Sequence, residues 1–185
     1  MLFAPICGYF GDRYNRKFIM ECGLVVWMIA VVLSTFCGPA NFYLFMLCRG
    51  IVGIGEASYV TVAPTIIADM YTGNRRSTAL MVFYFAIPVG SGLGYVTGSL
   101  VSLWTGAWQW GVRLTPILGI VSFILLLFVV DEPVRGEAEH ANPEPSTFID
   151  DVKYLFTVRT YGATTLGLTA VVFTTGCLAW WTPTL

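Results

Sequence analysis

The chain has 185 residues and a formal net charge of −1, which removes any electrostatic argument for nucleic-acid binding. Hydrophobic residues make up 56% and charged residues only 11%, with a mean hydropathy of +0.73. Soluble domains carry about 25% charged residues, so this composition excludes an ordinary soluble protein and points to a membrane-embedded one.

In chain order, Met1–Gly11 comes first: apolar, but too short to cross a bilayer. Eleven helical residues reach ~17 Å, about half the hydrocarbon core. It runs straight into a charged loop and does not read as a signal peptide. The expectation is the tail of a helix that begins earlier, and hence a fragment or a truncated isoform, because Leu185 also follows directly on a spanning segment. Apolar segments at 18–37, 42–69, 78–103, 112–130 and 161–182 are each near the ~20 residues that a spanning helix needs. The predicted fold class is therefore all-α: a polytopic membrane protein with about five complete spanning helices and one partial helix. Three organisational regions are expected: an incomplete helical bundle over 1–131, a linker over 132–160, and a further spanning helix over 161–185.

The connection at 104–110 holds Trp104, Trp108 and Trp110, residues suited to a membrane interface. The linker contains Pro133, Pro143, Pro145 and the single histidine, His140. Its first half reads as solvated. In its second half Phe148, Ile149, Val152, Leu155 and Phe156 recur at helical spacing opposite Asp150, Asp151 and Lys153, which predicts an amphipathic helix on the membrane surface. If the loop at 11–17 faces inward, the inner side collects Arg13, Arg16, Lys17, Arg75, Arg76, Arg135, Lys153 and Arg159, and the outer side only Arg113. That asymmetry is a strong positive-inside signal.

Between Glu21 and Asp69 the only charged residues are Arg49 and Glu56, both inside an apolar helical stretch. Each costs roughly 3 kcal/mol at the centre of a membrane helix, so such residues rarely persist without a task. Seven residues make nearly two turns, which places the pair on one face with Cα atoms ~10.5 Å apart along the axis. Helical side chains lean toward the N-terminus, so Arg49 leans away from Glu56 and a direct salt bridge is not expected. Each is expected to meet another helix or a watery cavity. The charge that partners Arg49 is expected on a helix outside this chain. Burial favours neutral Glu56 while nearby Arg49 favours the carboxylate, a balance suited to taking up and releasing protons. Tyr59, one turn on, is a candidate hydrogen-bond donor. Pro64 frees the carbonyl of Val60 and allows a kink.

Two further motifs stand out. In Gly8-Tyr9-Phe10-Gly11-Asp12-Arg13-Tyr14-Asn15-Arg16-Lys17, Gly8 and Gly11 allow close helix approach and Asp12 can face a helix N-terminus. Arg13 and Arg16 can pair with carboxylates on the same side, Asp69 being the best candidate. Such a cluster could latch one conformation. Gly90, Gly94 and Gly98, with Pro88 before them, form a small-residue stripe; close helix packing is the favoured reading and a bending, gating helix the alternative. The same glycines fail as a dinucleotide fingerprint, because Tyr95 stands where the third glycine belongs and no strand precedes them.

The cysteines Cys7, Cys22, Cys37, Cys48 and Cys177 lie in or beside apolar segments with no Cys-x-x-Cys pair, and read as small core residues. No nucleophile–base set and no metal-ligand spacing is found, so neither enzymatic chemistry nor a cofactor nor a metal is expected.

The Gly8–Lys17 loop resembles the signature between the second and third helices of the major facilitator superfamily, with Asn15 where a glycine is usual; Asn tolerates the left-handed backbone such a position can require. The run Arg49–Tyr59, the segment Ala63–Asp69, the run Phe83–Tyr95 and Trp108–Pro116 are similar to the spinster family of that superfamily. The resemblance covers nearly the whole chain and is weakest over 132–160. It implies a transporter of two six-helix bundles, of which this chain would supply the end of helix two through helix seven. It also implies lysophospholipids or sphingoid lipids such as sphingosine 1-phosphate as substrates, moved by a proton-linked or facilitated route. By the same resemblance Arg49 and Glu56 would line a central cavity near the midplane, and the membrane would be that of the late endosome or lysosome, or the plasma membrane. Independently of family, one fixed positive charge among aromatic and aliphatic walls suits an anionic head group with an acyl chain. A polar organic anion or sugar as substrate, and a truncated isoform that does not transport, are the alternatives.

Overall fold

The computed structural model describes residues 3–38, 41–133 and 148–181, with no strand among them. In chain order the helices are α1 (Ala4–Arg13), α2 (Arg16–Ser34), α3 (Phe42–Met70), α4 (Gly73–Thr105), α5 (Trp108–Val129), α6 (Phe148–Thr157) and α7 (Arg159–Trp181). Five of them, α2, α3, α4, α5 and the Arg159–Ala179 stretch of α7, are long and apolar enough to cross a membrane. The chain is thus all-helical and built of membrane spans. Contacts divide it into two compact units, Met1–Pro143 and Glu144–Leu185, so α6 falls with α7. The expected linker residues His140, Pro143 and Pro145 lie outside the described residues.

The helix ends follow from local chemistry. The chain turns between α1 and α2 at Asn15, whose side chain accepts a hydrogen bond from the Phe18 N–H at 2.7 Å. Asn15 has φ −59°, so the left-handed conformation expected there is not adopted. Asparagine is present as a helix N-cap, satisfying one of the donors that a helix start leaves open. Between α4 and α5 a left-handed residue is needed, and Gly106 supplies it with φ +67°. Helix α4 starts at Gly73 rather than near 78, because Arg75 and Arg76 do not end a helix: they extend it beyond the apolar slab. Its 33 residues correspond to ~50 Å, well over the ~30 Å core.

In the first unit the most extensive pairing is α2 with α3; α5 then packs on α2 and on α4, and α1 on α3. The α2–α3 seam is made by glycines. A Cβ on Gly55 would lie 2.7 Å from the Gly23 carbonyl oxygen and 2.8 Å from Trp27 Cβ, and one on Gly23 would collide with the Ser58 side chain. Beyond this seam Ala57, Ser58, Val62 and Ile66 are buried along α3, and Ala30 and Val31 along α2. Close backbone approach through small residues is how helices associate where lipid is as apolar as the side chains.

The stripe predicted for that job behaves differently. Cβ atoms built on Gly90, Gly94 and Gly98 meet nothing within 4 Å in this chain. Gly98 does lie under α5, since a Cβ on Gly111 would come within 2.8 Å of its carbonyl oxygen. Helix α4 has no buried residue at all. The α2–α3 seam was missed in the sequence because Gly23 and Gly55 lie on different helices and show no period within either.

Gly55→Ala should lower stability by about 1–3 kcal/mol, because the methyl meets backbone atoms that cannot rotate away. The check is the unfolding midpoint of the full-length protein in detergent; an unchanged midpoint would show that the seam is loose.

Candidate substrate cavity and charge cluster

Two polar sites lie at opposite ends of the α2–α3 pair. At the end nearer the basic loop, Arg16 is 8% exposed and carries three contacts. Its guanidinium pairs with Asp69 on α3, its Nε donates to the Gly11 carbonyl at 3.2 Å, and its backbone N–H donates to Glu132 Oε1 at 2.9 Å. Lys17 Nζ donates to the Leu127 carbonyl at 2.8 Å, placing a cation against the last turn of α5.

Of the residues predicted here, the structure brings together Gly11, Arg16, Lys17 and Asp69. Gly11 is buried, and a Cβ on it would lie 3.1 Å from Val62. Arg13 instead stacks on Tyr9, with its guanidinium carbon 4.6 Å from the ring centroid. A Cβ on Gly8 meets nothing within 4 Å. Asp12 is exposed on the last turn of α1, and among the described residues no hydrogen bond joins it to a helix N-terminus. Glu132 takes that place at the start of α2, a role sequence reading missed because the partner lies 116 residues away. Arg16–Asp69 is the one ion pair among the described residues.

At the other end lies a cavity of 540 Å³, walled by Trp27, Val31, Val52, Tyr95 and Trp108 and bearing Arg49. Gly94 and Gly98 also face it, Gly98 while its backbone lies against Gly111 of α5. Arg49 Nη2 donates to Ser34 Oγ at 3.2 Å, and its guanidinium carbon stands 5.2 Å from the Phe45 ring. Phe45 in turn meets Trp108 edge-on, with centroids 6.3 Å apart. The Nε of Arg49 is buried and has no hydrogen-bond partner. No carboxylate among the described residues pairs with Arg49.

Arg49 does meet another helix, as its isolation predicted, but the contact is a neutral hydroxyl at the last residue of α2. Ser34 ends α2 and Arg49 lies seven residues into α3, and the cavity runs from there to Trp27, which stands against Gly55. Glu56 is exposed and does not line the cavity; Tyr59 is half-buried and does not line it either. One residue before Glu56 the backbones of α2 and α3 close together at Gly55, while Glu56, about 100° further round the helix, is exposed. Pro64 and Pro88 lie within continuous helices α3 and α4. Among the described residues no group of His, Cys, Asp and Glu could hold a metal ion.

Comparison with known proteins gives a consistent picture. A family model described as Major Facilitator Superfamily matches residues 1–185. Protein spinster homolog 1 of Xenopus tropicalis is 50% identical over 187 residues, covering 100% of this chain and 36% of that protein. The sphingosine-1-phosphate transporter SPNS2 of Mus musculus is 46% identical over 186 residues, covering 99% of this chain and 34% of that protein. The chain thus spans about a third of the length of these relatives. Among solved structures, a bacterial homolog of the human lysosomal transporter Spinster, in an inward-facing and unoccupied conformation, superposes with a TM-score of 0.68 at 23% identity. That match covers 98% of this chain and 43% of the bacterial one, and supports the fold.

In a double-mutant cycle, Arg16→Gln and Asp69→Asn should couple by about 0.5–3 kcal/mol, as contacting residues do. Equilibrium unfolding of the two single variants and the double variant measures it; additive losses would mean that the two side chains act independently.

Proposed function

The chain belongs to the major facilitator superfamily, and from that premise we propose that the protein is a secondary-active transporter of anionic amphiphiles: lysophospholipids or sphingolipids of the sphingosine 1-phosphate kind. That it is a multi-pass membrane transporter and not an enzyme follows from the family; the substrate class is the proposal. The observation that carries it is the Arg49 guanidinium. It is an uncompensated cation with a buried, unpartnered Nε, set in the wall of a cavity built from Trp27, Tyr95, Trp108 and aliphatic side chains. A buried donor left unpaired costs roughly 1–3 kcal/mol, more when charged, and an anionic head group would relieve that cost. The apolar wall would then hold the tail. The likeness to a sphingosine-1-phosphate transporter of Mus musculus along the whole chain supports the same class.

In this reading Arg49 contacts the anion and Glu56 is the proton-responsive group, reached from the open flank of α3, with Tyr59 as a neighbouring donor. Alternating access would rock two helical bundles about the site. The cluster of Gly8, Asp12, Arg13, Arg16, Lys17 and Asp69 would hold one conformation closed at the opposite end, and helices α4 and α3 would bend at Pro88 and Pro64. Residues 1–131 would belong to the N-terminal bundle, 132–160 to a cytoplasmic linker whose helix α6 lies on the membrane, and 161–185 to the first helix of the C-terminal bundle. The partners would be the lipid substrate, protons, the bilayer and the remaining helices of the transporter, in the membrane of the late endosome or lysosome or in the plasma membrane.

The test is uptake of labelled lysophospholipid and sphingosine 1-phosphate by cells expressing the full-length protein across an imposed pH gradient. Arg49→Gln should reduce uptake at least tenfold, and Glu56→Gln should flatten its pH response. Absence of lipid uptake by a correctly inserted protein would overturn the lipid assignment in favour of a polar solute.

A further inference from the structure

The C-terminal turn of α2 holds a second arginine that the Arg49 cavity does not use. Arg113, on α5, donates from Nε to Thr35 Oγ1 at 3.0 Å. Its guanidinium carbon lies 4.8 Å from the Phe36 ring and 5.0 Å from the Trp110 ring. Thr35 directly follows Ser34, the residue that receives Arg49. The two hydroxyls are matched in chemistry. Ser34 Oγ donates to the Val31 carbonyl at 2.7 Å, and Thr35 Oγ1 donates to the Val32 carbonyl at 2.7 Å. With its one proton committed, each hydroxyl is left to act as an acceptor, and each takes one guanidinium. The negative end of the α2 dipole lies here and favours cations. No carboxylate among the described residues neutralises either of them.

The like charges of Arg49 and Arg113 are anchored on consecutive hydroxyls, and two aromatic rings stand against the guanidinium of Arg113. What is left is the Nη edge of its guanidinium. A stacked guanidinium whose Nε is already anchored is a pre-organised fork, matched to the paired oxygens of a phosphate or carboxylate. Arg113 does not line the cavity, whereas its neighbour Val112 and Trp108, one turn earlier on α5, do. The anchor is therefore next to the cavity but outside it.

We propose that Arg113, with Thr35, Phe36 and Trp110, forms a second anion-binding site beside the Arg49 cavity, which receives the phosphate group of the substrate before or after its stay at Arg49. The proposal rests on the reading of Arg49 as an anion-binding cavity residue. A two-cation arrangement lets an anionic head group be handed from one guanidinium to the next without being released bare into the apolar wall. The phosphate can come from a lipid head group or from free phosphate, since the fork recognises the same oxygens.

The experiment uses the full-length protein in lipid vesicles, with sphingosine 1-phosphate and phosphate-free sphingosine as transported probes and inorganic phosphate as competitor. Arg113→Gln should raise the KM for sphingosine 1-phosphate at least tenfold with kcat changed less than threefold, leave the KM for sphingosine within twofold, and weaken competition by inorganic phosphate to what Arg49 alone supports. Arg113→Lys should recover only part of the affinity, because it restores charge without the stacked fork. Should Arg113→Gln fail to fold, Trp110→Leu gives the same direction with a smaller rise. Equal KM rises for both probes, or no rise, would overturn the second site while an Arg49→Gln loss of sphingosine 1-phosphate uptake left the cavity reading standing. A wild-type protein that does not prefer the phosphorylated probe would overturn both. Competition by inorganic phosphate that is undiminished in Arg113→Gln would place free phosphate elsewhere and overturn the second site.

Discussion

The first unit hangs on the contact of two backbones at Gly23 and Gly55. Without side chains there, α2 and α3 approach until a carbonyl of one would touch a methyl of the other. That closeness sets everything polar around it. At one end it brings Arg16 onto Asp69; at the other it presents Ser34 to Arg49. A seam opened by even one methyl group would loosen both ends together, since both are fixed by the same helix pair. Arg49 and Glu56 share one face of α3, yet Arg49 borders the cavity and Glu56 is exposed away from it.

Arg49 and Arg16 illustrate opposite ways of keeping a guanidinium in an apolar protein. Arg16 is fully engaged, by a carboxylate and a carbonyl, with its own backbone N–H also bound. That is a structural tie, and its removal leaves a buried charge behind. Arg49 is held by a hydroxyl and an aromatic ring only, with one donor left open. A side chain so incompletely satisfied is poised for a ligand. The cation–π contact with Phe45 orients it without neutralising it.

Much of this was legible from the residues. Apolar length gave the spanning helices, and its isolation in an uncharged stretch singled out Arg49, which borders the cavity. Asp69 was the best candidate among the carboxylates on the same side as Arg16, and the two do pair. What could not be read was long-range pairing between unremarkable residues. Nothing in Ser34 or Thr35 distinguishes them from other hydroxyls in helices. Glu132 could not be matched to Arg16 across the intervening helices. Gly90 and Gly94 stand out by their regular spacing and meet no neighbour within 4 Å in this chain, whereas Gly23 and Gly55 owe their importance to each other. Asn15 was read through the backbone of the residue it replaces, when its own side chain explains it better.

The neutral contact between Ser34 and Arg49 bears on how such a chain is made. A helix carrying an arginine and a glutamate in its apolar stretch is a poor solitary passenger in lipid, at a cost of several kcal/mol by insertion scales. Helix α2 supplies the hydroxyl and the aligned dipole that lower the cost for Arg49, and it leaves the ribosome first. Helix α3 therefore gains from being released into the bilayer alongside α2 as a hairpin, while α4, whose span contains no charged residue beyond Arg76, can enter alone and wait for its neighbours.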